Sequence, residues 1–202
     1  MSQDVLTSHY NAAANWWAES LDRLGYGRAY LNFFLRLQLP AGALRVCDIG
    51  SGTGALATAL AQAAPGRCNF TLVDPAANML AQGTPLLPQA ERVISSLADY
   101  TPRLRADLVI SAHVIEHLDN PALAVRQMAA LLRPGGQLIL VVSRPHWCQW
   151  LIWMRWRHNW FTPDQVIAFG EAAGLQLDTV AGFDSGPPSR TSLGYVFVKP
   201  GA

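Results

Sequence analysis

The stretch Val46-Cys47-Asp48-Ile49-Gly50-Ser51-Gly52-Thr53-Gly54 limits the fold more than any other part of this chain. The apolar run from Leu44 to Ile49 reads as a short buried strand. Gly50 to Gly54 reads as a turn, and Ala55 to Ala64 as a helix stopped by Pro65-Gly66. Glycine lets the backbone turn sharply and approach a ligand with no Cβ in the way. Gly50, Gly52 and Ala55 also satisfy the G-x-G-x-x-G/A pattern of dinucleotide binders. Asp48 separates the two readings. An acid two residues before the first glycine suits a ligand with a cationic amino-acid end and sits poorly beside a pyrophosphate.

The alternation begun there continues down the chain. Cys68 to Val73 is a second strand, followed by a helix from Ala76. Arg92 to Ser95 is a weaker third strand and Ala106 to Ser111 a fourth. Pro121 to Leu132 is a helix closed by Pro134-Gly135-Gly136, and Gln137 to Ser143 is a fifth strand. Such a pattern predicts a parallel sheet with helices on both faces. Thr162-Pro163 opens another helix that runs to Ala173. Leu175 to Phe183 and Ser192 to Val198 are strands joined only by a Gly/Pro/Ser loop, which leaves no room for a crossover helix and makes the pair antiparallel. Ahead of the first strand, Trp16, Trp17, Leu21 and Leu24 form one helical stripe, and Tyr30 to Leu39 a second helix stopping before Pro40. The expected architecture is α/β: a Rossmann-like, mostly parallel seven-stranded sheet with a C-terminal antiparallel hairpin, in a single domain of residues 1–202 with a helical cover over 1–40.

Composition narrows the function. A chain of 202 residues, half apolar and 14% charged, suits one globular domain. A formal net charge of +1 provides no field that would select nucleic acid. Lys199 is the only lysine, so the body of the domain has no amine nucleophile or Schiff-base residue. Cys47, Cys68 and Cys148 have neither paired nor metal-like spacing, which fits a reduced, cytoplasmic protein. No apolar run reaches the roughly 18 residues of a membrane span.

Residues from about Arg45 to Val142, and more loosely to Val198, resemble the class I S-adenosylmethionine-dependent methyltransferases, in the small-molecule group that includes ubiquinone-pathway enzymes. The resemblance implies S-adenosyl-L-methionine as cofactor, its methionine part lined by Asp48, Gly50, Ser51, Gly52 and Gly54. It makes Asp74, in Leu72-Val73-Asp74-Pro75, the acid that accepts the ribose hydroxyls, and places Met79 near adenine. Read from the residues alone, Asp74 is a helix N-cap before Pro75, and Met79 a core residue. The group often carries an acid just after the third strand. Here the stretch is Ser95-Ser96-Leu97-Ala98-Asp99, so Ser96 and the backbone near Leu97 take that place, with Asp99 reaching back as the alternative. Ser111, Ala112 and His113 are expected beside the methionine moiety and the transferring methyl.

Methyl transfer needs an acceptor lone pair held in line with the S–CH3 bond. An amine or thiolate needs only positioning, whereas a hydroxyl needs a base, for which His113 and His146 are the candidates. Some ubiquinone-pathway relatives hold a divalent metal here with acids and a histidine. This chain keeps Glu116 and His117 but has His113 where an acid would stand, and no metal is assigned. Residues 147–160 hold five of the seven tryptophans, and Trp150, Trp153, Trp156 and Trp160 fall within roughly a 120° helical arc. Segment 144–161 is expected to cover an apolar or aromatic acceptor, with Trp147, Trp150, Trp153 and Arg144 contacting it. A core-facing stripe and a membrane-surface element with Arg155 and Arg157 are the rival readings. The expected activity is methyl transfer to a small molecule. The rivals are a catalytically silent cofactor-binding scaffold acting through a partner, and a nicotinamide-dependent oxidoreductase, which the lack of a Tyr/Lys pair disfavours.

Overall fold

A computed structural model describes residues 24–82, 87–145 and 159–201. Its strands are β1 (Leu44–Ile49), β2 (Cys68–Asp74), β3 (Glu91–Ile94), β4 (Ala106–Ala112), β5 (Leu132–Ser143), β6 (Gln176–Ala181) and β7 (Ser192–Val198). They form one sheet in the order β3-β2-β1-β4-β5-β7-β6. Pairings among the first five strands are parallel, and β7 lies antiparallel to both β5 and β6. This is the mostly parallel Rossmann-like sheet with a C-terminal antiparallel hairpin that the alternation predicts.

Both faces of the sheet are covered, which is why its central strands are apolar at nearly every position. On β4, Leu108 and Ile110 face one way, against Phe33 and Phe34 of α1 (Tyr26–Leu35) and Leu56 and Leu60 of α2 (Ala55–Ala63). Val109 faces the other way, against Val125 and Met128 of α4 (Pro121–Leu131) and Val166 of α5 (Pro163–Ala172). The short α3 (Ala77–Ala81) follows β2. Thr162 starts α5 with a capping box, its hydroxyl accepting from the Gln165 N–H while Gln165 reaches back to the Thr162 N–H.

Some details differ from expectation. α1 begins at Tyr26 rather than Tyr30, after the N-cap Gly25 with φ of 78°, and ends at Leu35 rather than Leu39. Arg36 and Leu37 N–H donate to Phe33 and Phe34 carbonyls, a tightened last turn, and the Arg36 guanidinium then grips Asp184 and the Gly182 carbonyl. β5 begins at Leu132 rather than Gln137. Pro-Gly-Gly is a breaker by propensity, but here the Gly135 N–H and Gly136 carbonyl both pair with Lys199, so the strand carries through. The loop between β6 and β7 contains a single helical turn, α6 (Pro188–Thr191), and still makes no crossover.

Candidate active site

The carboxyl ends of β1, β2, β4 and β5 meet at one edge, where ligands bind in open parallel sheets. Gly50, Gly52 and Gly54 all adopt left-handed backbone, with φ of 65°, 54° and 79°. Gly50 and Ser51 N–H donate to the Val73 carbonyl at 2.8 and 3.2 Å, fastening the loop to β2. Asp74 fastens it again: Oδ2 accepts from the Gly52 N–H and Oδ1 from the Ala76 N–H, each at 2.8 Å. A Cβ on Gly50 would lie 2.2 Å from Val114 Cγ2, and one on Gly52 would lie 3.3 Å from Met79 Cε. Val114 therefore packs against the loop at Gly50 and Met79 at Gly52.

Beneath this arch Asp48 is 1% exposed, and neither its Oδ2 nor the buried Ser51 Oγ has a partner among the described residues. Burial pushes the Asp48 carboxyl well above the usual carboxylate range. The neighbouring Asp74 pushes it further, against the pull of the Ala57 N–H. Asp74 is also raised by burial, in spite of its two backbone donors. Pro75 is exposed beside it. Asp74 serves as an acceptor bridge within the turn rather than as a helix cap, since the helix it precedes has no side-chain cap. Just past β3, Ser95 N–H donates to the Asp74 carbonyl at 3.3 Å. Ser96 and Asp99 are joined to each other: Ser96 Oγ donates to Asp99 Oδ2 at 2.6 Å and accepts from the Asp99 N–H at 3.3 Å. Leu97 packs, partly buried, against the apolar cluster of the second sheet face.

At the end of β4, Ser111 Oγ donates to the Ile49 carbonyl at 2.8 Å, locking β4 to the loop's entry, and Ala112 is half-buried. His113 follows with φ of 56°, the one described non-glycine residue in left-handed backbone. Its Nδ1 lies 3.1 Å from Glu116 Oε1 and 3.1 Å from Ser143 Oγ, and its Nε2 lies 3.5 Å from Ser192 Oγ. Glu116 sits in a 3-10 turn, Ile115–His117, and Oε1 also accepts the Ser143 N–H at 2.7 Å. Burial would push the Glu116 carboxyl up, but the His113 ring and the Ser143 N–H outweigh it and hold the group below its ordinary value. Glu116 Oε2 is buried with no partner among the described residues. No group of three or more His, Cys, Asp or Glu among the described residues is placed to hold a metal ion.

The expected residues fall into two groups. Asp48, Gly50, Ser51, Gly52, Gly54, Asp74, Met79, Ser111, Ala112 and His113 gather at this edge. Arg144 points elsewhere: its Nε donates to the Arg190 carbonyl at 2.9 Å and its NH2 group to the Ser189 carbonyl at 3.1 Å, bracing α6. His146, Trp147, Trp150 and Trp153 lie outside the described residues. The chain returns with Asn159 N–H on the Glu116 carbonyl at 3.0 Å and Phe161 N–H on the Ser143 carbonyl at 3.4 Å, so the tryptophan-rich sequence leaves and re-enters beside Glu116. Ser143, Ser192 and Tyr30 were not expected at the site. Ser143 and Ser192 face each other through the antiparallel register of β5 and β7, which only the pairing reveals. Tyr30 of α1 is buried; burial first, then Tyr26, Glu116 and Asp48, push its hydroxyl well above the usual range.

Comparison with known proteins adds sequence and fold likeness. Residues 17–180 match the family model described as a methyltransferase domain. A 164-residue stretch is 28% identical to the ubiquinone biosynthesis O-methyltransferase of Rhodopseudomonas palustris (strain BisB18), covering 68% of this chain and 63% of that protein. A 105-residue stretch is 38% identical to an uncharacterised methyltransferase of Mycobacterium bovis, covering 51% of this chain and 41% of that one. The chain thus spans 41–63% of the length of these curated relatives. In fold it is similar to the N-methyltransferase NodS from Bradyrhizobium japonicum WM9, solved in complex with S-adenosyl-L-homocysteine, with a TM-score of 0.74, 21% identity and 96% of each chain covered.

Proposed function

The chain belongs to the methyltransferase domain family, and from that premise we propose that it moves the methyl group of S-adenosyl-L-methionine to a small, apolar or aromatic acceptor. The observation that carries this reading is the pair of orphaned buried atoms, Asp48 Oδ2 and Ser51 Oγ, under an arch of left-handed glycines. A buried acid with a spare oxygen is costly unless a ligand completes it. A cationic amino-acid end fits that need and a pyrophosphate does not.

In this reading the Gly50–Gly54 arch and Asp48 hold the methionine part, and Asp74, with one lone-pair direction left on each oxygen, receives the ribose hydroxyls. Pro75 and Met79 border the adenine side together with Ser96 and Leu97. Ser111, Ala112 and His113 stand beside the acceptor. When bound, the cofactor supplies an electrophilic sulfonium methyl. The chain's own residues contribute placement, which is worth up to about 7–11 kcal/mol for well-oriented partners. The five tryptophans of residues 147–160, a sequence that returns beside Glu116 and Ser143, support an apolar or aromatic acceptor. The named relatives differ on the acceptor atom, one an O- and one an N-methyltransferase. Cys47 and Cys68 are both free, in keeping with a reduced, cytoplasmic setting, and no described helix is long and apolar enough to cross a membrane.

Thermal melts test the cofactor. At a hundredfold excess over Kd, S-adenosylhomocysteine should add about 2.7 kcal/mol of stability, and NAD(P) should add none. Stabilisation by NAD(P) alone would overturn the reading. Stabilisation by S-adenosylmethionine with no S-adenosylhomocysteine released from any metabolite extract would assign a silent scaffold instead.

A further inference from the structure

We propose that the amino edge of the sheet, opposite the methyl-transfer site, is a docking surface for an extended acidic segment of a partner protein. The inference goes beyond the methyl-transfer reading and does not depend on it.

The strand starts assemble this surface. Arg67 precedes β2, Arg45 is the second residue of β1, Arg103 and Arg105 precede β4, and Arg133 is the second residue of β5. Lys199 follows β7, which runs the other way. These strands are consecutive neighbours, β2-β1-β4-β5-β7. At about 4.8 Å per strand the six cations form a row roughly 19 Å long. Main-chain bonds tie its parts together: the Leu44 N–H donates to the Arg67 carbonyl at 2.7 Å, and the Gly135 N–H to the Lys199 carbonyl at 2.9 Å.

Most of this charge is left uncompensated. Arg45 and Arg133 share Asp107. Arg67, Arg105 and Lys199 bond only to carbonyl oxygens, which leave a charge in place: Arg67 Nε donates to Gly42 at 3.0 Å, Arg105 to Ala130, and Lys199 Nζ to Ala129 and Leu132 at 2.9 and 3.0 Å. Arg103 is exposed. Burial, and then Arg105, draw the Lys199 ammonium below its ordinary value, as happens where cations are set together. The carbonyl ends of α2 and α4 add about half a negative charge each, so six cations face one carboxylate and two helix ends. Leu104, between Arg103 and Arg105, is 67% exposed and offers an apolar anchor within the row.

The shape of the charge selects the partner. A bilayer is a plane, and it would press as well on the exposed Glu171 and Asp178, which lie toward the β6 end of this edge. A single-stranded nucleic acid stacks its bases on aromatic platforms. Trp160, the exposed aromatic side chain among the described residues, belongs to the other edge, between the backbone contacts of Asn159 and Phe161. An extended peptide spans the row in about six residues, and its carboxylates suit guanidinium forks. Docking there leaves the carboxyl edge open, so the methyl-transfer site stays reachable while the chain is held.

A fluorescein-labelled oligoglutamate peptide, titrated against the full chain by anisotropy, is the probe. Binding should weaken as salt rises. It should fall at least about tenfold when Arg103→Glu is combined with Arg105→Glu. Arg28→Glu with Arg190→Glu makes the same change of net charge at exposed positions outside the row, and should alter affinity by less than about twofold. Equal losses in the two double variants would reduce the effect to bulk charge and overturn the proposal. So would the absence of salt-sensitive peptide binding, or tighter binding to poly-uridine or to phosphatidylglycerol vesicles that the Arg103 and Arg105 changes abolish. If the Arg103/Arg105 variant melts early, Arg103→Gln decides, with about a threefold loss expected and no loss counting against the row. S-adenosylhomocysteine should bind equally well with and without the peptide, and competition between them would place the peptide at the carboxyl edge and overturn the proposal. Failure of S-adenosylhomocysteine to bind the free chain strikes the methyl-transfer reading alone, and the peptide titration still decides this one.

Discussion

Gly50 and Gly52 share a left-handed backbone and differ in what stands behind them. An added methyl at Gly50 meets Val114 at 2.2 Å, a branched side chain that is itself partly buried. At Gly52 it meets only the flexible end of Met79, at 3.3 Å. Gly50→Ala should therefore cost about 2–4 kcal/mol of stability, from backbone strain plus overpacking. Gly52→Ala should cost about 1–2 kcal/mol, from strain alone, and should weaken S-adenosylhomocysteine binding out of proportion to that loss. Melts paired with calorimetric titration check both; equal melts with equal affinities would mean the arch does not face the ligand. Asp48 makes a second prediction. Burial and Asp74 raise its carboxyl in the free protein, whereas a cationic ligand favours the ionised form. Binding should then release a proton, and affinity should climb as pH rises toward Asp48's own range. Asp48→Asn should flatten that rise, which titration in buffers of different ionisation enthalpy would reveal. The free protein carries the opposite slope: a folded-state value above the unfolded one means that this group's contribution to stability declines as pH rises between the two. At this scale Asp48, the glycines and Asp74 were legible because each is a residue type with a local backbone task. Ser143 and Ser192 were not, because what joins them is strand register, which no local pattern encodes.

Between elements, α1 is seated on the sheet through one close approach. Gly194 of β7 lies so near the Phe33 ring that an added Cβ would be 2.3 Å from it. Gly194→Ala should lift α1 from β7 and cost about 1–3 kcal/mol, and with α1 disturbed Tyr30 should lose its seat near Asp48 and Glu116. A melt, together with NMR of tyrosine-labelled protein in which Tyr30 is assigned, reads this. At the opposite edge of the sheet Asp107 gathers three elements: its Oδ2 accepts the Arg45 N–H at 2.8 Å and Arg45 Nε at 3.2 Å, and Oδ1 binds Arg133. Burial pushes the Asp107 carboxyl up, but Arg133 and Arg45 prevail and bring it down to about 2. The sign is that of a depressed acid: its stabilisation is present above the ordinary aspartate range and is lost as pH falls from about 4 to about 2. With both arginines close to half exposed, about 1 kcal/mol is the expected size, and Asp107→Asn should remove that acid-side step from the stability curve. The sequence displayed these elements through their apolar runs. The end of α1 and the start of β5 escaped it because both are set by partners distant in sequence, Asp184 with Gly182 in one case and Lys199 in the other.

Over the whole molecule, the chemistry at the carboxyl edge and the Asp107 bracket at the opposite edge share no residues, so effects of substitution at the two should add. That the first five strands run parallel was readable, because strand–helix alternation leaves a crossover between them; their order, with β4 beside β1 rather than β3, was not. The position of β7 between β5 and β6 is a fact of pairing rather than of pattern. It also imposes a schedule. β6 leaves the ribosome before β7 but has no edge to join until β7 has docked on β5. During that interval β5 presents an open edge and β6 has no strand beside it. Exposed edges of this kind invite pairing with other chains. The hazard therefore falls between the making of β6 and the docking of β7, when the parallel part of the sheet is already made, and a newborn chain that pauses before Ser192 is the species a cell would most need to shield.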